Sequence, residues 1–512
     1  MKHSFKLLIT ILITICCGAH GFAQDSEDNS KELEPVVITE EPIEDSYMVD
    51  DASSATKTDT PIKYIPQSVE VIDQDLIRDQ GAIRLRDVIY NIPGASPGEV
   101  STLPFLIRGF MAEILRDGFT PSSFLAANRT EEELTNVQRI EVVQGPESIL
   151  YGNVSAGGII NLITKEALPY TYVSPELNYG SFDFYRAAID IGGPILPDKS
   201  VLGRFNASYL NTNSFRRFIK EQTFFFAPVV SYFITPKVKL TFHGEYHNVD
   251  TPVDQGLVAV GSRVANIPIS RYLGEPGDSG SLERFTPRIT LESELTDNIR
   301  MRNSFRYSKT KVRVDGHQAG FLLPDDITLI RTLVDFNQDN DIYTTQNELF
   351  VNVDIAGIEN KFLFGVEYVR ENFEVFSRSF ATNPINIFDP VYGGGPVDPP
   401  VIIAVNRFAK VDNIGIFAQD QFTLFEDLYI LAGIRFDLIH QDIDNEDPVA
   451  QTDFQASQTD SKFSPRIGIL YQFIEEMSVY GSFLQGFNLS PRTGLSFEGK
   501  IFDPQRLTQF EA

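Results

Sequence analysis

NVQRIEVVQGPESILYGNVSAGGIINLITK, Asn136 to Lys165, is the stretch that decides the fold. A β run, Val137 to Val143, breaks at Gly145-Pro146, and a second, Gly158 to Thr164, follows a glycine-rich turn. Pro146 has no N–H to give a ladder, while Gly152, Gly157 and Gly158 admit positive φ and close backbone approach, so a compact wedged turn joins two strands. No Gly-Lys-Ser/Thr follows, which excludes a phosphate-cradling P-loop.

Upstream, the text from Thr58 to Gly98 predicts a strand at Ser68 to Ile72, a helix from Gln74 and a second helix from Ile83 that stops before Pro93-Gly94. FLIRGF (Phe105 to Phe110) and EILRDGF (Glu113 to Phe119) add short strands, so a small α+β domain closes near Lys165. Downstream of Pro169 the pattern changes to period two. Along Lys237 to His247, Val238, Leu240, Phe242, Gly244 and Tyr246 fall on one side, with Lys239, Thr241, His243 and Glu245 on the other. Met301 to Ser308 and Leu428 to Asp437 behave alike. One apolar and one polar face fits a membrane barrel with lipid outside and a wet lumen, and it also fits a soluble sandwich.

Connection lengths decide between them. Tight turns (Gly192 to Lys199, Thr235 to Lys237, Thr296 to Asn298, Ala356 to Asn360, Glu426-Asp427, Ile474 to Glu476) alternate with long connections at residues 251–282, 315–335, 377–406, 441–461 and 489–503. Short turns on one rim and long loops on the other is barrel logic. Ile327 to Asn337 is read as external loop or strand extension, because counting it as a strand would put residues 377–406 on the wrong rim.

QRIEVVQGPESILYG followed by AGGIINLITK resembles the end of the plug domain of TonB-dependent outer-membrane receptors, and ATKTDTP with IPQSVEVI resembles the ferric-siderophore branch. The resemblance implies a transmembrane antiparallel β-barrel with an N-terminal α+β plug in its lumen. Residues 1–23 are then a signal peptide, 24–57 an arm, 58–168 the plug and 169–512 barrel. About 14 strands fit the text against about 22 in plugged transporters, which leaves the barrel short by roughly 180 residues and predicts that the sequence continues past Ala512.

The apolar run Leu7 to Cys17, with Lys2 and Lys6 before it and Gly21-Phe22-Ala23 after it, reads as an export signal too short to span a bilayer. It contains both cysteines, so disulfide and thiolate-metal chemistry drop out after cleavage. The formal charge is −27, which disfavours nucleic acid as a partner. The 40 Phe and 19 Tyr suit interfacial girdles as well as sheet packing. Residues 24–60 are acidic and polar, too poor in apolar surface to fold alone, with one β-competent island, EPVVITE (Glu34 to Glu40). Such an island can add a strand to a partner's sheet, or be a chance patch in a linker; the plug behind it favours the first.

By resemblance, Glu34, Pro35, Val36, Val37, Ile38 and Thr39 form a TonB box. Ligand contacts would come from the plug apices Ser101, Thr102, Leu103, Met111, Phe119 and Phe124, together with the loop aromatics Tyr272, Phe321 and Tyr392. Arg108 and Arg139 resemble family arginines that face barrel carboxylates, with Glu245 and Glu367 as candidates, although Gln144 stands where many relatives carry a basic residue. The partners implied are a ferric siderophore, the TonB energy-transducing complex and outer-membrane lipid, for a monomer without a resident cofactor, iron arriving inside the ligand. Haem, cobalamin or oligosaccharide uptake are alternatives within transport, and a passive porin is one outside it. An enzyme finds little support: Gly277-Asp278-Ser279-Gly280 lacks the rest of a serine-protease loop, and His243 and His247 on one strand lie roughly 13 Å apart, too far for one metal.

Overall fold

The computed structural model describes residues 47, 49–58, 60–97, 105–120, 132–447, 449, 453–475, 477–489 and 500–512. The plug is built on a four-stranded sheet of β1 (Val69–Asp73), β2 (Glu113–Arg116), β3 (Val137–Gln144) and β4 (Gly158–Thr164), in the order β1-β3-β4-β2. β2 runs parallel to β4 and the other pairs are antiparallel. Asp73 ends β1 and its carboxylate accepts from the Gln74 N–H, which starts α1 (Gln74–Asp79). α2 (Leu85–Val88) follows, and Ile72, Leu85, Ile89, Ile140, Val142 and Leu162 close the plug core between helices and sheet.

The glycine-rich turn holds a third helix that sequence periodicity could not show, α3 (Ser148–Tyr151). All four of its residues are buried, and Gly145 and Gly152 flank it at φ 97° and 67°, the left-handed region that glycine enters without a Cβ penalty.

Around the plug lie β5 (Tyr172–Gly180), β6 (Phe184–Pro194), β7 (Val201–Asn213), β8 (Lys220–Thr235), β9 (Val238–His243 and Tyr246–Asp250), β10 (Ser279–Phe285 and Arg288–Thr296) and β11 (Ile299–Leu322). β12 (Thr328–Ile355), β13 (Ile358–Thr382), β14 (Pro396–Leu424), β15 (Leu428–Glu446), β16 (Phe454–Ile474), β17 (Met477–Asn488) and β18 (Gln505–Glu511) complete fourteen long barrel strands among the described residues, each antiparallel to the next in the chain. The outer surface is apolar and the inner one polar: Phe242, Ile289 and Ile434 are 41%, 47% and 50% exposed, while Arg284, Arg331 and Arg435 are among the largest fully buried side chains. A water-soluble sandwich would bury the first set and expose the second, so the inversion settles the membrane barrel. Tyr232, Phe233, Tyr471 and Phe473 lie exposed beside the tight turns, where an interfacial girdle belongs.

Three of the expected loops are largely strand. Residues 315–322 with 328–335, 377–382 with 396–406, and 441–446 with 454–461 continue as hairpin arms, with Gly316 opposite Val334, Phe376 opposite Asn406 and Ile443 opposite Ala456. Above the membrane the backbone still has hydrogen bonds to satisfy, and a ladder satisfies them in register. Ile327 to Asn337 is correspondingly an extension of β12, which starts at Thr328. Residues 251–278 are a true connection, carrying only the small hairpin Ala259–Val260 with Arg263–Val264.

β9 is broken at Gly244-Glu245 and β10 at Thr286-Pro287, opposite Pro228 of the continuous β8, so two neighbouring strands are interrupted at one level. Pro228 and Pro287 cannot donate, and the break aims Glu245, 7% exposed, into the lumen.

Candidate functional site

Two regions can do chemistry: the contact between plug and wall, and a chamber above it. The contact is a lattice of buried ion pairs. Glu132 of the plug meets Arg284 of β10 at 2.9 Å and plug Arg116 at 3.0 Å, and Arg116 reaches Glu245 at 3.3 Å. Asp117 holds Arg288 at 2.9 Å, Glu133 holds Arg186 at 3.0 Å, and Glu147 holds Arg466 at 3.0 Å. Lys165 shares Asp190 with Arg204, at 3.0 and 2.7 Å. These pairs are desolvated, so removing one partner leaves an uncompensated charge, which is costly even where the intact pair adds little net stability.

Charge tuning follows the same geometry. Burial would raise the Glu132 carboxyl, but Arg284 and Arg116 overcome it and hold Glu132 down at about 2. Burial also acts on Glu113, where the Glu371 carboxylate adds to it and a hydrogen bond from Ser155 only partly opposes it, so Glu113 is pushed up to about 8. Burial keeps Glu147 above its ordinary value despite Arg466.

Close packing supplements charge on one side of the lumen. β15, β16 and β17 present Gly433, Gly468 and Gly486 to the plug, and a Cβ at these positions would collide with Ile149, Pro66 and Ser148 respectively. Opposite Arg435, Gly152 leaves no room for a side chain either, since a Cβ there would lie 2.8 Å from the guanidinium. Asp437 and Glu367 neutralise Arg435 at 2.9 and 2.8 Å.

The chamber, about 500 Å³, lies between plug Arg84 and Glu133 and the barrel residues Phe215, Ile219, Val249 and Val312. Its size and mixed lining suit an organic ligand. Arg84 pairs there with Glu221.

The expected site residues scatter. Met111 is 59% exposed, beside Phe110, and Phe321 is exposed near the tip of the β11–β12 hairpin. Phe119 and Tyr272 are each 4% exposed. Phe119 lies between the Arg288 and Arg306 guanidiniums, and Tyr272 packs with Phe218 and donates to Asp278 at 2.7 Å, tying down the 251–278 connection. Tyr392 donates to the Tyr272 carbonyl at 2.9 Å. The expected pairing of Arg108 and Arg139 with Glu245 and Glu367 does not form: Arg108 meets Glu511 of β18 at 3.1 Å, and Arg139 meets its strand neighbour Glu141 at 2.7 Å. Glu245 is taken by Arg116 and Glu367 by Arg435, because strand register sets which wall residues stand at each height of the plug. Ser101, Thr102, Leu103, Phe124 and Glu34 to Thr39 lie outside the described residues.

Sequence reasoning missed Lys57, Glu132, Glu147, Arg284 and Arg466. The barrel arginines had a signal, since they occupy the polar phase of period-two strands; their plug partners did not. Among the described residues no group of three or more His, Cys, Asp or Glu could hold a metal, and no helix is long and apolar enough to cross a membrane.

The family described as TonB dependent receptor-like, beta-barrel matches residues 229–512, and the TonB-dependent Receptor Plug Domain matches residues 61–159. The chain is 29% identical over 529 aligned residues to the metal-pseudopaline receptor CntO of Pseudomonas aeruginosa, covering 99% of this chain and 73% of that one. It is 22% identical to the ferrichrome outer membrane transporter/phage receptor of Escherichia coli K12, covering 100% and 73%. Among solved structures, FpvA of P. aeruginosa bound to a ferric pyoverdine superposes with a TM-score of 0.78 at 20% identity, covering 91% of this chain and 62% of FpvA. The closed form of the ferric-catecholate import receptor Fiu of E. coli K12 gives 0.78 at 21%, covering 91% and 73%. The chain thus spans about three quarters of the curated relatives and less than two thirds of FpvA.

Proposed function

The chain belongs to the TonB-dependent receptor family, a plug-and-barrel family of the outer membrane, and from that premise we propose that it captures a ferric siderophore outside the cell and admits it to the periplasm. The observation that carries the reading is a lumen filled by a plug whose ties to the wall are buried ion pairs, Glu132–Arg284 and Glu147–Arg466 foremost. Such a barrel is no passive pore. Passage requires work on the plug, and the outer membrane has no energy store of its own, so a periplasmic partner must supply it. EPVVITE is the segment suited to that partner, TonB, by strand addition. The chain's relatives are receptors and transporters by name, among them the receptor for ferrioxamine B of Salmonella typhimurium, and the reading is that of a transporter with no catalytic step.

Capture is assigned to the chamber and to the exposed plug residues Phe110 and Met111. The test is a binding panel on the full-length receptor with iron-loaded ferrichrome, ferrioxamine B, a catecholate and pyoverdine, against haem and cobalamin. One ferric siderophore should bind at about 10⁻⁹ M, roughly −12 kcal/mol, and haem and cobalamin far more weakly. Binding of haem or cobalamin alone would overturn the substrate. The metal-pseudopaline relative favours a second reading, a chelate carrying a metal other than iron, which the same panel separates when the chelators are loaded with divalent metals in place of ferric iron.

A further inference from the structure

The plug does not fit the wall equally all round. On the β15–β17 side the three glycines bring α3 and Pro66 against bare backbone, Ser148 and Phe487 exchange hydrogen bonds of 3.1 and 3.4 Å, and Asn153 bridges to Phe487. Along β9–β14 two cavities remain between plug and wall. One, of about 470 Å³, faces β9, β10 and β11 through Thr241, Thr290 and Ser304. The other, of about 70 Å³, faces β12, β13 and β14 through Thr344, Val369 and Asn413. Both touch Gly118, Phe119, Tyr151 and Gln346, so those residues form a single constriction between them.

One residue at the base of this side is tied to the arm. Lys57 sits at φ 57°, a strained conformation for a residue with a side chain, and its ammonium lies 2.8 Å from Glu348 of β12. The same ammonium is 5.1 Å from the centre of the Tyr151 ring, and Glu348 also holds Arg302 at 2.7 Å. Around it, Ser54 binds Glu141 through its N–H at 2.7 Å, and the Ser54 carbonyl accepts from the Tyr151 hydroxyl at 2.8 Å. A pull on the chain before residue 51 therefore loads Ser54, with its bond to Glu141 of β3, and then Lys57 and Tyr151, before it reaches β1 along the chain.

We infer that the transport route opens along the β9–β14 wall, through the Phe119–Tyr151–Gln346 constriction, while the plug stays seated on β15–β17, and that withdrawal of Lys57 from Glu348 begins the opening. Lys57 acts as a positioning residue: it holds Tyr151 and never needs to touch the cargo. The inference rests on the transport reading and specifies where that transport happens.

The test uses the full-length receptor in lipid nanodiscs, pulled from an N-terminal handle in magnetic tweezers with a fluorescent maleimide in solution. The 512 residues hold two cysteines, Cys16 and Cys17, and these and any beyond Ala512 in the full-length receptor are replaced by serine, so single reporters are clean. Under load, Gln346→Cys and Thr344→Cys, both buried at rest, should label about tenfold faster or more, while Ser464→Cys, fully buried in β16, should change little. Lys57→Ala should lower the force of the first extension, with the unloaded labelling rates unchanged. Faster labelling of Ser464→Cys, labelling of all three together, or a first extension at the same force in Lys57→Ala would each overturn the inference. Neither cargo nor TonB enters the measurement, so it fails independently of the binding panel.

Discussion

At the scale of single residues the account predicts opposite pH behaviour for two plug carboxylates. Glu132, held at about 2 by Arg284 and Arg116, contributes stability that is present above the ordinary carboxylate value and is lost only as pH falls through about 2. Glu113, raised to about 8, prefers its proton in the docked plug, so its contribution is full below the ordinary value of 4.5 and drains away as pH rises through about 8. Urea-induced release of the plug, followed by protease sensitivity, should therefore become easier between pH 5 and 8 in the wild type and lose that slope in Glu113→Gln. A slope unchanged in the variant would place the titration elsewhere. Glu132→Gln leaves Arg284 buried without its charge partner and should cost about 3–5 kcal/mol of plug docking in the same assay at pH 7. These residues were not legible in the sequence. Arg284 lies on the polar phase of its strand, but nothing in the text says that residue 132, in a connection between plug strands, comes to stand opposite it.

Among elements, the glycine seat and the arm carry the predictions. Gly486→Ala adds a methyl that Ser148 and Pro146 leave no room for, and overpacking of this kind should destabilise docking by about 1–3 kcal/mol while the barrel stays folded. Heat-modifiable mobility on a gel reports the barrel and protease sensitivity the plug; equal stability of both would remove the seat from the account. Val37→Pro in EPVVITE, which lies outside the described residues, should remove a strand donor and abolish uptake with ligand binding intact. Strands were the most legible elements: the period-two alternation of Lys237 to His247 and the β runs at Val137 and Gly158 appear where expected. The hairpin arms above the membrane were not, because polar residues there satisfy a ladder as readily as a loop and composition does not distinguish them. Glycines at 433, 468 and 486 looked like weak points of separate strands, since only the lateral stacking of neighbouring strands brings them together under α3 and Pro66.

For the whole molecule, the apolar outside and the charged inside follow from one solvent inversion: lipid meets β5–β18 where a soluble protein would meet water, and the plug replaces lumen water with paired charge. That inversion was readable from alternation and turn lengths. The route, the seat and the partner of every buried charge needed three dimensions. The claim on which all of this converges is that the plug is moved by work delivered from the periplasm. It is tested most directly by accumulation of radioactive iron, supplied as the siderophore that the panel identifies, in iron-starved cells expressing the full-length receptor, with and without a protonophore. The account predicts that surface binding persists in both conditions while accumulation inside falls to the level of receptor-free cells when the proton gradient is collapsed. Accumulation that continues undiminished without the gradient would contradict it.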